Sequence, residues 1–355
     1  MKKLISIISI LLLTACQQLQ TETTNVIQIS ASDSHITIMG RTHINADKSV
    51  LLGYPGVSFF LEAEGTQLSV NIKSNNGNSW IDVIVDEQPA KAIKIGNQLQ
   101  KVELFSFVES GKHKVRLTHR SENWHGNITI NGFSLNGKQF LPAPELPKRK
   151  LLVLGDSVTC GAAIDRVSAE QKNTRWWNAR ESYGMLIADS LNAQVHLVCW
   201  GGRGLIRSWN GKTDEQNLPD FYELAVGDND KKLQWDHPQY QPDLIISAMG
   251  TNDFSSGIPD RETYVSTYVK FIQKLRGNHP QAEIMLIEGS ILNGENKTAL
   301  VDYLAETVKR VNDSKVHQGK SSYHSGDASD AHPTKEQHAL MAKELTEQIK
   351  QLMGW

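Results

Sequence analysis

The hydrophobic periodicity of this chain changes at residues 141–150, and that change restricts it to two halves built on different principles. The segment Leu141-Pro142-Ala143-Pro144-Glu145-Leu146-Pro147-Lys148-Arg149-Lys150 carries three prolines. Proline fixes φ and lacks an N–H, so the segment can be neither helix nor central strand and reads as a stiff linker. Before it, apolar residues recur at every second position: Val57, Phe59, Leu61 and Ala63, then Leu68, Val70 and Ile72, then Val115 and Leu117, then Ile128 and Ile130. Turn residues such as Tyr54-Pro55-Gly56, Asn75-Asn76-Gly77 and Ser110-Gly111-Lys112 separate the runs. Period two between turns predicts half-buried antiparallel strands, hence an all-β, jelly-roll-like sandwich over residues 26–140 without a helix. A sandwich of this length suits a carbohydrate-binding module or a rigid support.

After the linker, Leu151 to Leu154, Val195 to Val198, Leu244 to Ser247 and Ile284 to Ile287 are short continuous apolar runs, the mark of strands buried on both faces. Helical spacing lies between and after them: Tyr183, Leu186, Ile187 and Leu191; then Tyr264, Tyr268, Phe271 and Leu275, stopped by Gly277 and Pro280; then Leu300, Leu304, Val308 and Val311; finally Lys335 to Leu352. This alternation predicts a three-layer α/β domain with a parallel sheet over residues 151–355. Ligands of such sheets gather at the carboxyl ends of the strands, so the residues that follow each run matter most.

Length and charge narrow the classes. A chain of 355 residues suits two domains, and a formal net charge of −2 leaves no electrostatic footprint for nucleic acid. No close His/Asp/Glu pair repeats at ligand spacing, which argues against a metal-dependent hydrolase, so no cofactor is expected. Met1-Lys2-Lys3 followed by the apolar Leu4 to Leu13 reads as a secretory signal, too short to span a bilayer permanently. Leu13-Thr14-Ala15-Cys16 at its end resembles the lipobox of bacterial lipoproteins, so residues 1–16 read as a signal with Cys16 as the lipidation site. The polar residues 17–25 read as a tether. The expected location is outside the cytoplasm, lipid-anchored at the cell envelope, with Gln17 in place of aspartate favouring an outer membrane where the source has one. The remaining cysteines, Cys160 and Cys199, each sit near a strand end; a bridge and two buried thiols are both open.

Polar or glycine-rich motifs follow the first three strands. Ser157, in Gly155-Asp156-Ser157-Val158-Thr159-Cys160-Gly161, falls where the next helix is expected to begin, as an N-cap or as a nucleophile beside helix-terminal N–H groups. Cys199-Trp200-Gly201-Gly202-Arg203-Gly204 offers a backbone that a ligand can approach closely, or a tight turn. In Met249-Gly250-Thr251-Asn252-Asp253 the Asn252 carboxamide can donate to an oxyanion or form an Asx turn. Near the end, Ser329-Asp330-Ala331-His332-Pro333-Thr334 places a histidine, the usual general base at neutral pH, at a helix entrance, with Pro333 in the first helical turn.

Gly155-Asp156-Ser157, Gly202, Gly250-Thr251-Asn252-Asp253 and Asp330-Ala331-His332-Pro333 together resemble the four sequence blocks of the SGNH (GDSL-like) hydrolases, in the same order. The preceding β half, with the Gly-Asp-Ser-Val-Thr-Cys-Gly and Gly-Gly-Arg-Gly-Leu forms, is similar to carbohydrate esterase family 2, whose members remove acetyl groups from plant polysaccharides such as xylan and glucomannan. The resemblance implies Ser157 as nucleophile, His332 as base, and an oxyanion hole made of the Ser157 and Gly202 amides and the Asn252 side chain. One position departs from the wider pattern: three residues before the histidine stands Ser329, and the acid, Asp330, is two before. Either Asp330 or a backbone carbonyl then orients His332. His338 reads as packing or surface. Trp176, Trp177, Trp200 and Trp209 fall beside these blocks and read as sugar-stacking faces or as core. The polar stretch from Ser208 to Gln241 reads as a rim insertion.

The expected function is that of a serine esterase acting on acetylated carbohydrate. A lipase or thioesterase would use the same residues but calls for long apolar lid segments, which the sequence lacks. A lipid-anchored glycan-binding protein with a degenerate second half conflicts with the presence of Ser157, Asn252 and His332 together.

Overall fold

The computed structural model describes residues 26–228 and 232–355. Cys16 and the 17–25 tether lie outside the described residues. The first half is antiparallel throughout: β1 (Val26–Ser30), β2 (Thr37–Met39), β3 (His43–Ile44), β4 (Val50–Leu52), β5 (Ser58–Ser74), β6 (Trp80–Val85), β7 (Lys91–Lys94), β8 (Gln100–His119) and β9 (Ile128–Phe140). They hydrogen-bond in the order β3-β4-β9-β5-β8-β6-β7, with β1 added to β9 and β2 to β5.

The two alternating runs read in the sequence on either side of Gly65 belong to one strand, β5. Their inward parity differs, odd at Val57, Phe59, Leu61 and Ala63 and even at Leu68, Val70 and Ile72, yet all seven are buried in a single core. Register shifts at Gly65/Gln67 and Leu68/Ser69 account for it. A bulge adds one residue, bends the strand and exchanges its faces. Gly65 meets Gly137 there, and a Cβ on Gly137 would lie 2.4 Å from the Gly65 Cα.

The second half contains β10 (Arg149–Gly155), α1 (Tyr183–Ser190), β11 (Ala193–Cys199), α2 (Leu218–Phe221), β12 (Leu244–Ala248), α3 (Thr251–Ser255), α4 (Arg261–Asn278), β13 (Glu283–Ile287), α5 (Gly294–Val311), β14 (Val316–Gln318) and α6 (Lys335–Met353). The strands form a parallel sheet in the order β11-β10-β12-β13-β14. Because side chains alternate along β10, Leu152 and Leu154 pack under α4 and α5 with Tyr268, Phe271 and Leu304. Leu151 and Val153 pack under α1 and α6 with Ile187, Leu345 and Ile349. Register sets Gly155 level with Cys199 on one side and Ala248 on the other, so the residues after these three strands emerge side by side.

Four local expectations change. The linker gives way two residues early, since Arg149 and Lys150 follow its last proline and pair with Ala193 and Gln194 at the start of β10. No α-helix follows Ser157: residues 156–164 form successive turns, with Cys160 N–H donating to Asp156 O and Ala162 N–H to Ser157 O. Pro333 lies just outside α6, because Thr334 and Gln337 form the capping box and Thr334 takes the N-cap. The 208–241 stretch is more than rim: Leu218, Phe221, Tyr222, Leu224 and Val226 are buried. This segment receives the β domain. The buried Arg41 donates to Tyr222 O at 2.5 Å and Leu224 O at 3.1 Å, and Tyr54 Oη–H donates to Phe221 O at 2.6 Å.

Cys160 and Cys199 form a disulfide, with Cα atoms 5.7 Å apart and a sequence separation of 39. It ties the turn that follows β10 to the end of β11. Replacing both cysteines with alanine is expected to lower stability by about 2–4 kcal/mol, the usual contribution of a native bridge, read as a lower urea midpoint than wild type under oxidising conditions and a match to wild type under reductant.

Candidate active site

The three strand ends deliver the first half of the site. Gly155 ends β10 because the chain folds straight back: a Cβ there would fall 1.9 Å from Thr159 Oγ1. Asp156 accepts the Val158 N–H at 3.0 Å and thereby closes the turn that carries Ser157. After β11, Gly202 has φ +77°, which glycine alone adopts without strain. The loop beyond it is strapped down by Asp253, whose carboxylate accepts the N–H groups of Leu205, Ile206 and Arg207 at 2.8 to 3.2 Å. Asp253 stands next to Asn252 in α3. The Asn252 Nδ2 donates to Arg203 O at 2.8 Å and lies 3.4 Å from Asp156 Oδ2. Ser157, the Gly202 loop and Asn252 are thus joined through two buried carboxyls. Burial pushes both Asp156 and Asp253 up to about 6, against the pull of the amides they bind.

The second half arrives from the loop before α6. His332 Nε2 lies 2.9 Å from Ser157 Oγ across 175 residues of sequence, and His332 Nδ1 lies 2.6 Å from Asp330 Oδ1. With the Nδ1–H directed at the carboxylate, Nε2 is the lone-pair nitrogen and accepts the serine hydroxyl. Asp330 Oδ1 also accepts the His332 N–H at 2.9 Å, and Oδ2 accepts the Lys172 ammonium at 2.5 Å. Burial works against the charge on Asp330, but the His332 ring, Lys172 and the His332 amide outweigh it and hold the carboxyl well below the usual range. It is the Asp330 side chain, and not a backbone carbonyl, that meets Nδ1. Hydroxyl, imidazole and ionised carboxylate in this order form a hydrogen-bonded relay able to deprotonate the serine for attack on a carbonyl.

Residues 38–144 match the family model for the carbohydrate esterase 2 N-terminal domain, and residues 153–340 match that for the GDSL-like lipase/acylhydrolase family. An acetylxylan esterase / glucomannan deacetylase of Cellvibrio japonicus is 61% identical over 343 residues, which cover 97% of this chain and 96% of that protein. The chain belongs to carbohydrate esterase family 2. The solved structure of a family two carbohydrate esterase from Cellvibrio japonicus, 62% identical, superposes with a TM-score of 0.92 over 93% of this chain and 99% of the other. A family two esterase from Clostridium thermocellum, solved with cellohexaose, is 30% identical with a TM-score of 0.84 over 90% of this chain and 99% of its own.

In this family 2 chain the tryptophans separate clearly. Trp176 and Trp200 are buried core residues. Trp177 is half-buried, its Nε1–H given to Glu122 at 2.7 Å. Only Trp209 stands at the rim, 62% exposed. Its ring lies over Gly202, where a Cβ would fall 2.9 Å from Trp209 Cδ1, and the Trp209 backbone N–H donates to Gly202 O at 2.9 Å. His338 is fully buried, stacked near Tyr183 and accepting the Tyr183 N–H at 3.2 Å, so it packs.

Sequence reading missed Arg166. Its guanidinium donates to Asp330 O at 2.6 Å, His332 O at 2.5 Å and Pro333 O at 2.9 Å, while its Nε–H reaches Ala163 O at 2.7 Å. One planar fork thus clamps the loop that carries the histidine to the segment that follows the serine turn. A lone arginine in a loop gives no periodic or motif signal. Arg166→Met is expected to lower kcat on an acetyl ester by on the order of 10- to 100-fold while KM stays within about threefold, because the base is displaced and the binding surface is not; steady-state kinetics on p-nitrophenyl acetate measure both.

Proposed function

We propose that this chain is a serine esterase that removes O-acetyl groups from polysaccharides of the acetylated xylan and glucomannan type. The relay from Ser157 Oγ through His332 Nε2 at 2.9 Å to Asp330 at 2.6 Å is the observation that carries this reading. The substrate class is supported by the Cellvibrio japonicus relative, an acetylxylan esterase / glucomannan deacetylase matched over nearly its whole length.

Ser157 Oγ attacks the acetyl carbonyl while its proton passes to His332 Nε2, and the imidazolium is held by the Asp330 carboxylate. The carbonyl oxygen, now an oxyanion, is met by the Ser157 and Gly202 amides and by the Asn252 Nδ2 hydrogen that is not given to Arg203 O. Each such donor contributes roughly 3 kcal/mol to the transition state. The bond from the carbonyl carbon to the sugar oxygen then breaks as His332 gives its proton to that oxygen, releasing the sugar hydroxyl and leaving an acetyl-serine. Water, deprotonated by the same imidazole, attacks that ester, and acetate leaves as Ser157 regains its proton. The exposed Trp209 face beside Gly202 supports stacking of the sugar that carries the ester, since a pyranose presents apolar C–H groups to an aromatic ring.

We also propose that Cys16 carries a lipid that holds the enzyme at the cell envelope. Lys2 and Lys3, the apolar run and Leu13-Thr14-Ala15-Cys16 support this. Cys16→Ser is expected to move the protein from the membrane to the soluble fraction; unchanged sedimentation with membranes overturns the anchor.

Ser157→Ala is expected to reduce acetate release from p-nitrophenyl acetate and from acetylated xylan and glucomannan by at least about 1,000-fold. Full activity of that variant rules out Ser157 as the nucleophile. A wild-type preference for octanoyl over acetyl esters would replace the acetyl esterase reading with a lipase.

A further inference from the structure

The loop between β8 and β9 leaves the β domain and enters the α/β domain beside the site. Glu122, 2% exposed, accepts the Trp177 Nε1–H on Oε1 at 2.7 Å and the Gly201 N–H on Oε2 at 2.9 Å. Two residues on, the Trp124 Nε1–H donates to Gly201 O at 2.8 Å. Both backbone polar groups of Gly201 are therefore held by side chains of the other domain. The position is shaped for the carboxylate, since a Cβ on Gly201 would fall 2.4 Å from Glu122 Oε2. Burial pushes the Glu122 carboxyl up to about 7, against the pull of the two N–H donors.

The Gly201 carbonyl and the Gly202 N–H belong to one peptide unit. No peptide bond among the described residues is cis, so the two groups point in opposite directions from one rigid plane. A donor fixed on the Gly201 oxygen therefore aims the Gly202 N–H. Accepting a hydrogen bond at the oxygen also polarises the amide and strengthens its N–H as a donor. Trp124 itself is held: its ring meets Trp200 edge-on at 5.8 Å, and the Arg203 guanidinium lies 5.2 Å over its face.

We propose that Glu122 and Trp124 of the β domain are positioning residues of the esterase, fixing the Gly201–Gly202 peptide so that its N–H faces the oxyanion. The β domain is then part of the catalytic apparatus, a role beyond support or glycan binding. This rests on the reading of Ser157 as nucleophile and Gly202 as oxyanion donor.

The test uses the full two-domain chain. Trp124→Phe removes the N–H together with part of the indole and leaves a smaller aromatic ring between Trp200 and Arg203. Its kcat on p-nitrophenyl acetate is expected to fall on the order of tenfold, less than the loss of a whole oxyanion donor, with KM within about twofold and the thermal midpoint unmoved. Affinity for phenylboronic acid, whose adduct on serine places an oxygen where the oxyanion sits, should weaken by the same factor as kcat/KM. Glu122→Gln offers one acceptor to two N–H donors and should give a similar loss in kcat and boronate affinity. Ser157→Ala runs in parallel: if it keeps activity, the serine-esterase reading fails and takes the proposal with it. If Ser157→Ala is inactive while Trp124→Phe and Glu122→Gln keep wild-type kcat and boronate affinity, the positioning role alone is overturned. A fall in thermal midpoint with unchanged kcat overturns it too, leaving both residues as interface packing.

Discussion

Parallel pairing of β10 with β11 and β12 is the constraint on which the site depends. With Gly155 level with Cys199 and Ala248, three loops that are distant in sequence leave the sheet within two strand spacings, about 10 Å. The first brings a hydroxyl, the second a bare amide and the third a carboxamide. A slip of one residue in either pairing would exchange the faces of the strand and send Leu152 and Leu154 to the α1 and α6 side. The two-sided burial of β10 opposes that slip, so the same packing that stabilises the domain also sets the site.

Buried carboxyls then finish what register begins, and they fall into two kinds. Asp156, Asp253 and Glu122 are each pushed upward by burial, and each binds backbone N–H groups of the loops that surround Ser157. They organise backbone. Asp330 is the opposite case, held low by the imidazole and by Lys172. It is the carboxylate that stays charged through the ordinary pH range, as the partner of an imidazole that must gain a proton should be. The contrast follows from partners: neutral amides offset desolvation only in part, whereas an ammonium and an imidazole outweigh it.

Much of this was legible in the chain. The two-domain division follows from the change of period, and the parallel sheet from the short apolar runs. What periodicity could not supply was long-range geometry. The runs Val57 to Ala63 and Leu68 to Ile72 look like two strands because a bulge reverses parity within one. The expected helix at Ser157 gives way to turns because the Asp156 side chain takes the Val158 amide and Gly161 adopts φ +76°. Gly201-Gly202 reads as a turn or a ligand approach, yet Gly201 is small for a third reason, a carboxylate from the other domain. Arg166 carries no motif, and its role exists only where two loops meet. The stacking tryptophans illustrate the same limit: composition groups four of them, and burial leaves Trp209 alone at the rim.

The chain order of these parts has a consequence for biosynthesis. Ser157 lies near the middle of the polypeptide and His332 arrives only with the last helix, α6, which packs against α1 and the sheet. A ribosome-bound chain therefore displays the β domain first and Ser157 next, while His332 is still inside the exit tunnel. The Ser157–His332 pair can form only once residue 332 has emerged, and a nascent chain interrupted before it holds a serine without its partner.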